Sequence, residues 1–287
     1  MSVGVITDSN SGIFESEAAQ NGMFVVPMPI VIDGQTYYEG IDIELEQFVE
    51  LQDGGADIST SQPAIAMVMD TWKKGLKEYD EIVYIPMTSG LSGSCSTAIA
   101  FSAEFDGKVV VVDNHRISVP QRASVYQALD LSKKGYSANQ IKEILEEDAY
   151  NTSIYITVNT LEHLKKSGRV TPAGAAIGDL FHVKPVLTIQ GEQLDAFAKV
   201  RGIKKAKAVM KEALIKDVEE RFHGDIENLV IATAYTFVDK EDIEEWNNEV
   251  KALFPTADFQ SDPLPLSIAC HTGKNAFGLG VYKKLNK

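Results

Sequence analysis

Short apolar runs alternate with amphipathic stretches along the first half of the chain. Continuous β-branched runs are typical of parallel strands covered on both faces, whereas apolar residues spaced by about 3.6 positions indicate helices. The pattern predicts strands at residues 3–7, 24–32, 81–87 and 109–113, and helices at 65–76, 92–104, 119–134 and 138–147. This alternation predicts an α/β domain built on a mainly parallel sheet.

A second series of elements begins near Asn151. Its pattern predicts strands at residues 153–158, 183–189 and 229–234, and helices at 161–167, 203–222 and 240–254. The C-terminal segment that follows alternates strand-like runs with glycine turns. A chain of 287 residues is long enough for two domains, and we predict α/β domains at residues 1–150 and 151–287.

The formal net charge of −14 opposes binding to nucleic acid and to anionic lipid surfaces. No apolar run is long enough to cross a membrane, and the N-terminal sequence lacks a signal-peptide pattern, so a cytoplasmic location is expected. A local basic region is either a docking surface for an anionic group or partner, or a solvated helix face. This basic region comprises Lys199, Arg201, Lys204, Lys205, Lys207 and Lys211.

The two cysteines, Cys95 and Cys270, lie far apart in the sequence and belong to no CxxC pair. We interpret both as small buried residues and not as a disulfide or as zinc ligands. No histidine pair has metal-ligand spacing. The sequence therefore predicts neither a metal site nor another cofactor.

Polar segments directly follow three of the predicted strands, at residues 8–9, 88–90 and 113–114. In parallel α/β folds, ligands gather beyond the carboxyl ends of the strands. We therefore expect these segments to lie close to a binding site.

Two serine-rich segments are the main candidates for binding chemistry. Residues 59–63 (STSQP) precede a predicted helix, where they either cap it or join its N–H groups in binding an anion. Residues 88–94 (TSGLSGS) offer glycines for close backbone approach and serine hydroxyls as donors. A serine hydrolase with Ser92 as nucleophile is an alternative, but the elbow pattern G-x-S-x-G fails at Ser94 and the sequence indicates no base.

Two further segments carry polar side chains beside glycine turns. His271 and Thr272 follow an apolar run that we predict to be a strand, and the imidazole is a candidate for a polar contact. Arg169 follows Gly168, either as part of a helix C-terminal cap or as an anion contact. The sequence contains neither a phosphate loop nor a dinucleotide fingerprint, so it shows no means of binding ATP.

Taken together, these segments resemble the DegV family, including its FakB-type fatty-acid-binding members. Each segment is a weak signal alone, but seven in the family's order across nearly the whole chain are specific. They are ITDSNSG (6–12), STSQPA (59–64), SGLSGS (89–94), KKSGRV (165–170), GDLFHVKPVLTI (178–189), KVRGIKKA (199–206) and HTG (271–273).

The resemblance implies a two-domain DegV-like fold, with a three-layer N-terminal α/β domain on a mainly parallel sheet and a C-terminal α/β domain. It also implies one long-chain fatty acid, such as palmitate, held between the two. Arg169 and Arg201 match arginines linked to partner docking or to the phosphorylated product. By the same analogy, the positions at the acid's head group are Thr60, Ser61, Ser92, Gly93, His271 and Thr272.

The family further implies a cytoplasmic bacterial carrier without catalysis of its own, which presents the acyl carboxylate to a fatty acid kinase. The missing ATP motif agrees with this division of labour. A third hypothesis is a kinase-regulating protein whose lipid is only structural. The sequence departs from the family pattern at Lys274, after the HTG segment, and at Asn114 and His115, where an Asp-Ser pair is more usual. These departures affect details of ligand binding.

Overall fold

The computed structural model describes residues 2–176 and 183–285. The chain divides into two compact units. Unit 1 comprises Met1–Tyr150 and Pro265–Cys270, and unit 2 comprises Asn151–Leu264 and His271–Asn286. Of the GDLFHVKPVLTI segment, residues 178–182 lie outside the described residues.

Unit 1 alternates strands and helices, as the hydrophobic pattern predicts. Its strands are β1 (Val3–Asp8), β2 (Phe24–Val26), β3 (Pro29–Ile32), β4 (Gln35–Tyr38), β5 (Ile58–Thr60), β6 (Glu81–Ile85) and β7 (Val109–Val111). Its helices are α1 (Glu15–Gln20), α2 (Leu45–Asp53), α3 (Ile65–Gly75), α4 (Ser94–Ser102), α5 (Ser118–Lys133) and α6 (Ala138–Glu147).

The main sheet of unit 1 is parallel, in the order β2-β1-β6-β7. Ile82 and Tyr84 of β6 pack with Trp72 of α3 in a buried cluster on one face. Helices α5 and α6 pack on the strands from the other side. The predicted parallel sheet with two covered faces is confirmed, and the apolar runs are continuous because successive side chains enter two different cores.

The apolar run at residues 24–32 forms two strands in different sheets and not one. β2 pairs with β1, whereas β3 pairs with β4 and β5 in a separate antiparallel sheet. Pro27 lies between them and Pro29 is the first residue of β3, and proline restricts the backbone and lacks an N–H donor. The β3–β4 hairpin turns at Asp33 and Gly34 with φ angles of 48° and 80°. Two positive φ angles are typical of the type I′ turn.

Unit 2 carries a mixed sheet with helices. Its strands are β8 (Thr152–Thr157), β9 (Val183–Ile189), β10 (Asp195–Arg201), β11 (Leu229–Thr236), β12 (Asp258–Pro263) and β13 (Ala276–Lys283). Its helices are α7 (Glu162–Ser167), α8 (Pro172–Ala175), α9 (Ile203–Glu220) and α10 (Lys240–Leu253). The strand order is β10-β9-β8-β13-β11-β12, with a parallel pair only between β11 and β12 in the described part of the chain.

The core of unit 2 lies between this sheet and the helices α9 and α10. Met210 and Leu214 of α9 and Trp246 of α10 are fully buried with Phe277 of β13. The Trp246 indole nitrogen donates to the Gly278 carbonyl at 3.3 Å. Burial of this apolar face stabilises both helices, since helix formation alone contributes little in water.

Helix α11 (Leu266–Thr272) replaces the strand that we predict before Gly273. At its start, Ile268 N and Ala269 N both donate to the Pro265 carbonyl oxygen at 2.9 Å. A short apolar run does not distinguish a buried strand from a buried helix by periodicity. Nearly all of this run is buried, so the prediction lacked the polar spacing that would have identified a helix.

None of the helices within residues 2–176 and 183–285 is long and apolar enough to cross a membrane. Within the same residues, no group of three or more histidine, cysteine, aspartate or glutamate side chains is arranged to hold a metal ion.

Candidate functional site

The carboxyl edge of the parallel sheet, where β1, β6 and β7 end, is organised by a buried carboxylate. Asp8 Oδ1 accepts from Asn10 N at 3.1 Å and from Gln121 Nε2 at 3.0 Å, and Oδ2 accepts from Met87 N at 2.8 Å. Burial raises the pKa of Asp8 to about 6, against the lowering effect of these bonds. The ITDSNSG segment therefore fixes the chain that leaves β6.

The TSGLSGS loop leaves this edge and enters helix α4. Its start is tied to the chain after β7, because Thr88 N donates to the Arg116 oxygen at 2.9 Å and Ser89 N donates to Asp113 Oδ1 at 3.3 Å. At its end, the Ser92 hydroxyl oxygen accepts from Ser94 N at 3.2 Å. Accepting this bond leaves the Ser92 hydroxyl proton available to donate to a ligand.

The STSQP segment lies beside this loop in unit 1. Gln62 Oε1 accepts from the Thr97 hydroxyl of α4 at 3.2 Å, and it would lie 3.7 Å from a Cβ atom at position 93. Thr60 is the last residue of β5, and Ser61 is exposed. The STSQP segment, with Thr60 and Ser61, and the TSGLSGS loop, with Ser92 and Gly93, thus lie close together in unit 1, although they are distant in the sequence.

Residues 59–63 do not cap helix α3, so the capping interpretation is wrong. The residue at the N-cap position of α3 is Ala64, and no side chain makes a capping hydrogen bond there. The preceding strand β5 ends at Thr60 and the chain crosses Pro63 before the helix starts. Helix α3 therefore starts after Ala64 without a capping hydroxyl at its N-cap position.

Gly93 is not required by the fold of unit 1. Its φ angle is −69°, which any residue adopts. The contact of an added Cβ with Gln62 at 3.7 Å is an ordinary van der Waals distance and the closest among the described residues. A glycine without a conformational or packing reason is consistent with the close approach of a ligand to the backbone.

In unit 2, His271 lies near two other basic side chains. The pKa of His271 is lowered to about 4, mainly by burial and also by the charges of Arg169 and His163. The imidazole is therefore neutral near pH 7, and a neutral imidazole can still donate one hydrogen bond. Thr272 follows as the last residue of α11 and is buried.

Gly273, unlike Gly93, is required by the fold. Its φ angle is +67°, and a Cβ atom there would lie 2.8 Å from Cδ2 of His163. Its carbonyl accepts from the Thr236 hydroxyl at 2.5 Å. The glycine therefore lets the end of α11 approach the His163 ring closely.

The two arginines of the resemblance lie at opposite ends of β10. The Arg169 carbonyl accepts from Leu194 N at 3.0 Å, directly before the strand starts. Arg201 is the last residue of the strand and is exposed, about 20 Å further along at roughly 3.3 Å per residue. Gly168 ends helix α7 with a φ angle of 69°, so the helix-cap interpretation of this segment is confirmed.

The basic region is divided between strand β10 and helix α9, and it is not one helix face. Lys211 pairs with Glu249 at 2.6 Å. Lys207 Nζ lies 3.9 Å from the Phe277 ring centroid, and burial lowers its pKa. These two lysines serve the packing of unit 2, whereas Lys199, Arg201, Lys204 and Lys205 are exposed or partly exposed.

The surroundings of Ser92 do not form a nucleophile site. The Ser92 hydroxyl accepts from Ser94 N, and in the described part of the chain no general base is hydrogen-bonded to it. Cys95 and Cys270 are free and buried, as the sequence predicts, and burial raises both pKa values to about 12. Their thiols are therefore protonated at neutral pH.

Two glutamines of unit 1 make contacts at this edge that the sequence did not predict. Gln62 links the STSQP segment to helix α4, and Gln121 of helix α5 donates to Asp8. Gln62 is part of the STSQP segment, so its place in the sequence could have identified it as a candidate site residue. Gln121 lies in an ordinary amphipathic stretch, and only the fold brings it to Asp8.

The arrangement is that of a mixed α/β protein of two units with a hydroxyl-lined loop at a sheet edge. The chain matches the model of the DegV family, described as "Uncharacterised protein, DegV family", over residues 2–284. A DegV domain-containing protein of Deinococcus radiodurans is 31% identical over 285 residues, covering 98% of each chain. The chain belongs to the DegV family.

Solved structures agree with this assignment. A DegV family protein from Thermus thermophilus, described as binding fatty acid, has a TM-score of 0.88 at 28% identity over 99% of this chain and 100% of that one. DegV of Bacillus subtilis, described as a fatty acid binding protein, has a TM-score of 0.84 at 28% identity over the same shares. This likeness confirms the predicted two-domain DegV-like α/β fold.

Proposed function

We propose that this chain binds one long-chain fatty acid, such as palmitate, and that hydroxyl groups hold its carboxylate. The observation that carries the proposal is the meeting of the STSQP segment and the TSGLSGS loop beside Gly93, whose glycine identity the fold does not require. The fatty acid binding described for the Thermus and Bacillus relatives supports the same ligand.

The carboxylate contacts of the proposal are donors of two kinds. Thr60, Ser61 and Ser92 supply hydroxyls, and Gly93 supplies its backbone N–H. Charge-assisted hydrogen bonds of this type are about twice as strong as neutral ones. The resemblance adds His271 and Thr272 of unit 2, and the low pKa of His271 supports a neutral donor there.

The energetics of a fatty acid fit such a set of donors. Burial of about ten methylene groups contributes roughly 8 kcal/mol at about 0.8 kcal/mol each. The buried carboxylate must then be hydrogen-bonded, because an unpaired buried charge is very costly. Neutral hydroxyls satisfy it without enclosing both oxygens in a bidentate clamp, which leaves an oxygen accessible to a reacting phosphate.

The first test is mass spectrometry of lipid extracted from the purified chain, followed by calorimetric titration with palmitate. We expect one bound acyl chain for each polypeptide. Neither a co-purified acid nor binding of added palmitate would be the result that rejects the proposal.

The donors are tested by Ser61→Ala combined with Ser92→Ala. Each substitution is expected to weaken palmitate binding by on the order of 1–3 kcal/mol, because a charged acceptor loses a donor. Ser96→Ala is the matched control, since Ser96 is an exposed serine on helix α4, a few residues after Ser92. Equal affinity in the double variant and the control would refute these donors.

We further propose that the chain is a carrier without catalysis that presents the acid to a fatty acid kinase. In that reaction the carboxylate oxygen attacks the γ-phosphorus of ATP and ADP leaves, giving an acyl phosphate. The absence of a phosphate loop from the sequence supports a division of labour between carrier and kinase. Arg169 and Arg201 are the proposed docking or phosphate contacts.

The docking role is tested by Arg169→Glu and Arg201→Glu in an acyl-phosphate assay with the kinase of the same organism. Both variants are expected to lose acyl-phosphate formation, and Arg201→Glu is expected to bind palmitate normally. Lys216→Glu is the control, because Lys216 is an exposed cation on α9 that pairs only at 3.8 Å with Glu220. Normal turnover in both arginine variants would reject the docking role.

A further inference from the structure

The loop after β7 contains a buried amide whose hydrogen-bonding capacity is unused. Asn114 is 1% exposed, and neither its Oδ1 nor its Nδ2 atom has a hydrogen-bond partner among residues 2–176 and 183–285. The neighbours of Asn114 in the chain are bonded to the TSGLSGS loop, through Asp113 Oδ1 to Ser89 N and through the Arg116 oxygen to Thr88 N. Asn114 therefore lies where that loop starts.

The backbone around Asn114 is held firmly. Arg116 is 1% exposed and donates to Asp148 Oδ2 at 2.8 Å and to the Ser124 hydroxyl at 3.0 Å. His115 and Ser118 have φ angles of 55° and 56°, a region that non-glycine residues rarely adopt. A buried ion pair thus fixes an unfavourable backbone conformation, and the position of the Asn114 side chain follows from it.

A second unused polar atom lies at the start of helix α4. The Ser94 hydroxyl has no partner in the described part of the chain, and Ser94 is 6% exposed. Helix α4 packs against β7, and the charge of Asp113 contributes to the raised pKa of Cys95. The first turn of α4 and the Asp113–Asn114 pair are therefore neighbours at the carboxyl edge.

An unused buried amide is a cost that an apolar side chain of the same size would avoid. Packing alone therefore gives no reason for asparagine at position 114. The amide is explained if a polar group of a ligand enters between it and the TSGLSGS loop. Because both amide atoms are sealed from solvent in the structure, the loop and the amide must separate slightly for that group to enter.

We propose that Asn114 is a further ligand-binding residue of unit 1, whose Nδ2 donates to the carboxylate of the bound acid, with Ser94 as a second donor. This inference rests on the proposed fatty acid binding and adds a third polypeptide segment to the carboxylate site. It also assigns a function to a position at which the sequence departs from the family pattern.

The test is Asn114→Leu, which keeps the volume and removes the polar atoms. We expect the affinity for palmitate to fall by about tenfold or more, the equivalent of about 1.4 kcal/mol, while the melting temperature of the delipidated protein stays equal or rises. An amide that only bonds a structural water would give the opposite pattern, a lower melting temperature with unchanged affinity, and would overturn the inference.

A second measurement does not depend on the variant folding. In the 15N-labelled wild-type protein, the side-chain NH2 resonances of Asn114 are expected to shift when palmitate is added, whereas those of Asn21, which donates to the Glu17 oxygen on α1 at 2.9 Å, stay in place. Unmoved Asn114 resonances at saturating palmitate would overturn the inference.

The outcomes for the two proposals are separate. If the wild-type chain binds no acid, the proposed function fails. If the wild-type chain binds palmitate and the Ser61→Ala, Ser92→Ala variant loses it, but Asn114→Leu binds normally, only the assignment of Asn114 fails.

Discussion

Two glycines among the candidate segments differ in whether the fold requires a glycine at their position. Gly273 has a φ angle of +67° and a close neighbour in His163, so the fold requires it. Gly93 has a φ angle of −69° and room for a methyl group. The fold therefore explains the glycine at position 273 and not the one at position 93, where we propose that a ligand approaches the backbone.

The substitution Gly93→Ala is expected to separate stability from binding. The free energy of unfolding should change by less than about 1 kcal/mol, because a compatible glycine-to-alanine change has small backbone effects. Palmitate affinity should fall about tenfold or more, since the methyl group obstructs the backbone N–H, and calorimetry and denaturant unfolding measure the two quantities.

Gly273→Ala is the matched comparison for this prediction. The left-handed backbone alone costs alanine about 1–2 kcal/mol, and the collision with the His163 ring adds to it. We expect a clear loss of stability in this variant. Normal palmitate binding by Gly93→Ala would contradict the assigned role of Gly93.

The imidazole of His271 provides a prediction about protonation. Its folded pKa of about 4 lies below the unfolded value of 6.5, so the related stability is present above pH 6.5 and is lost as the pH falls through 4. A carboxylate bound nearby should raise the pKa of His271 towards neutral pH by charge attraction. NMR titration of the imidazole with and without palmitate measures this shift, with exposed His223 as reference. An unchanged His271 titration at saturating palmitate would remove His271 from the site.

At the scale of elements, helix α11 begins at a hydrogen bond with a partly buried carboxylate. Glu39 Oε2 accepts from Leu266 N, the first residue of the helix, at 2.6 Å. Burial raises the pKa of Glu39 to about 7, and the charge of Glu44 contributes in the same direction. The start of α11 is therefore held by a group that titrates near neutral pH.

The substitution Glu39→Gln is expected to reduce the pH dependence of stability. A carboxyl group with a raised folded pKa contributes stability that is complete below its unfolded value of 4.5 and lost as the pH rises through about 7. Glutamine keeps an acceptor for Leu266 N but does not ionise. Denaturant unfolding at pH 4.5, 6 and 8 should therefore show that the free energy of unfolding falls less with rising pH in the variant than in the wild-type chain.

Glu46→Gln is the control for this prediction, since Glu46 is exposed on α2. Asp8 also has a raised pKa, but its effect is common to both proteins and cancels in the comparison. If the free energy of unfolding falls equally with pH in the Glu39→Gln variant and the wild-type chain, Glu39 does not determine the pH dependence of stability.

The sequence predicted the buried elements well and the edge elements poorly. Strand β7 with its valine run and helix α6, Ala138–Glu147, agree closely with the pattern. The strands β10 and β12 escaped prediction because they lie at the two edges of the sheet, where charged side chains replace apolar ones. Their segments, DAFAKVR and DFQSDP, lack the pattern of a buried strand.

The candidate site was predictable where it follows strand ends. The polar segments after β1, β6 and β7 lie at the carboxyl edge, as the rule for parallel sheets requires. The contacts of Gln121 with Asp8 and of Gln62 with α4 were not predictable, because each joins residues that are distant in the sequence. The roles of the eight residues taken from the resemblance stay predictions.

At the scale of the whole molecule, the net charge of −14 opposes the approach of an anionic acid. In the proposed function, affinity for a carboxylate therefore comes from local hydrogen bonds and from burial of the acyl chain. Added salt screens the long-range repulsion. Added salt should therefore not weaken palmitate binding at a hydroxyl site, whereas it would weaken binding at a cationic site.

Binding should finally be visible as stabilisation of the whole chain. A ligand that binds only the folded state stabilises it by RT ln(1 + [L]/Kd), about 2.7 kcal/mol at one hundred times Kd. Calorimetric unfolding of the delipidated protein should therefore shift to higher temperature as palmitate is added, and by the same amount in Ser96→Ala. The shift should shrink in the Ser61→Ala, Ser92→Ala variant, because its larger Kd lowers the ratio at equal palmitate. An equal shift in all three proteins would mean that the acid stabilises the chain without contacting these hydroxyls.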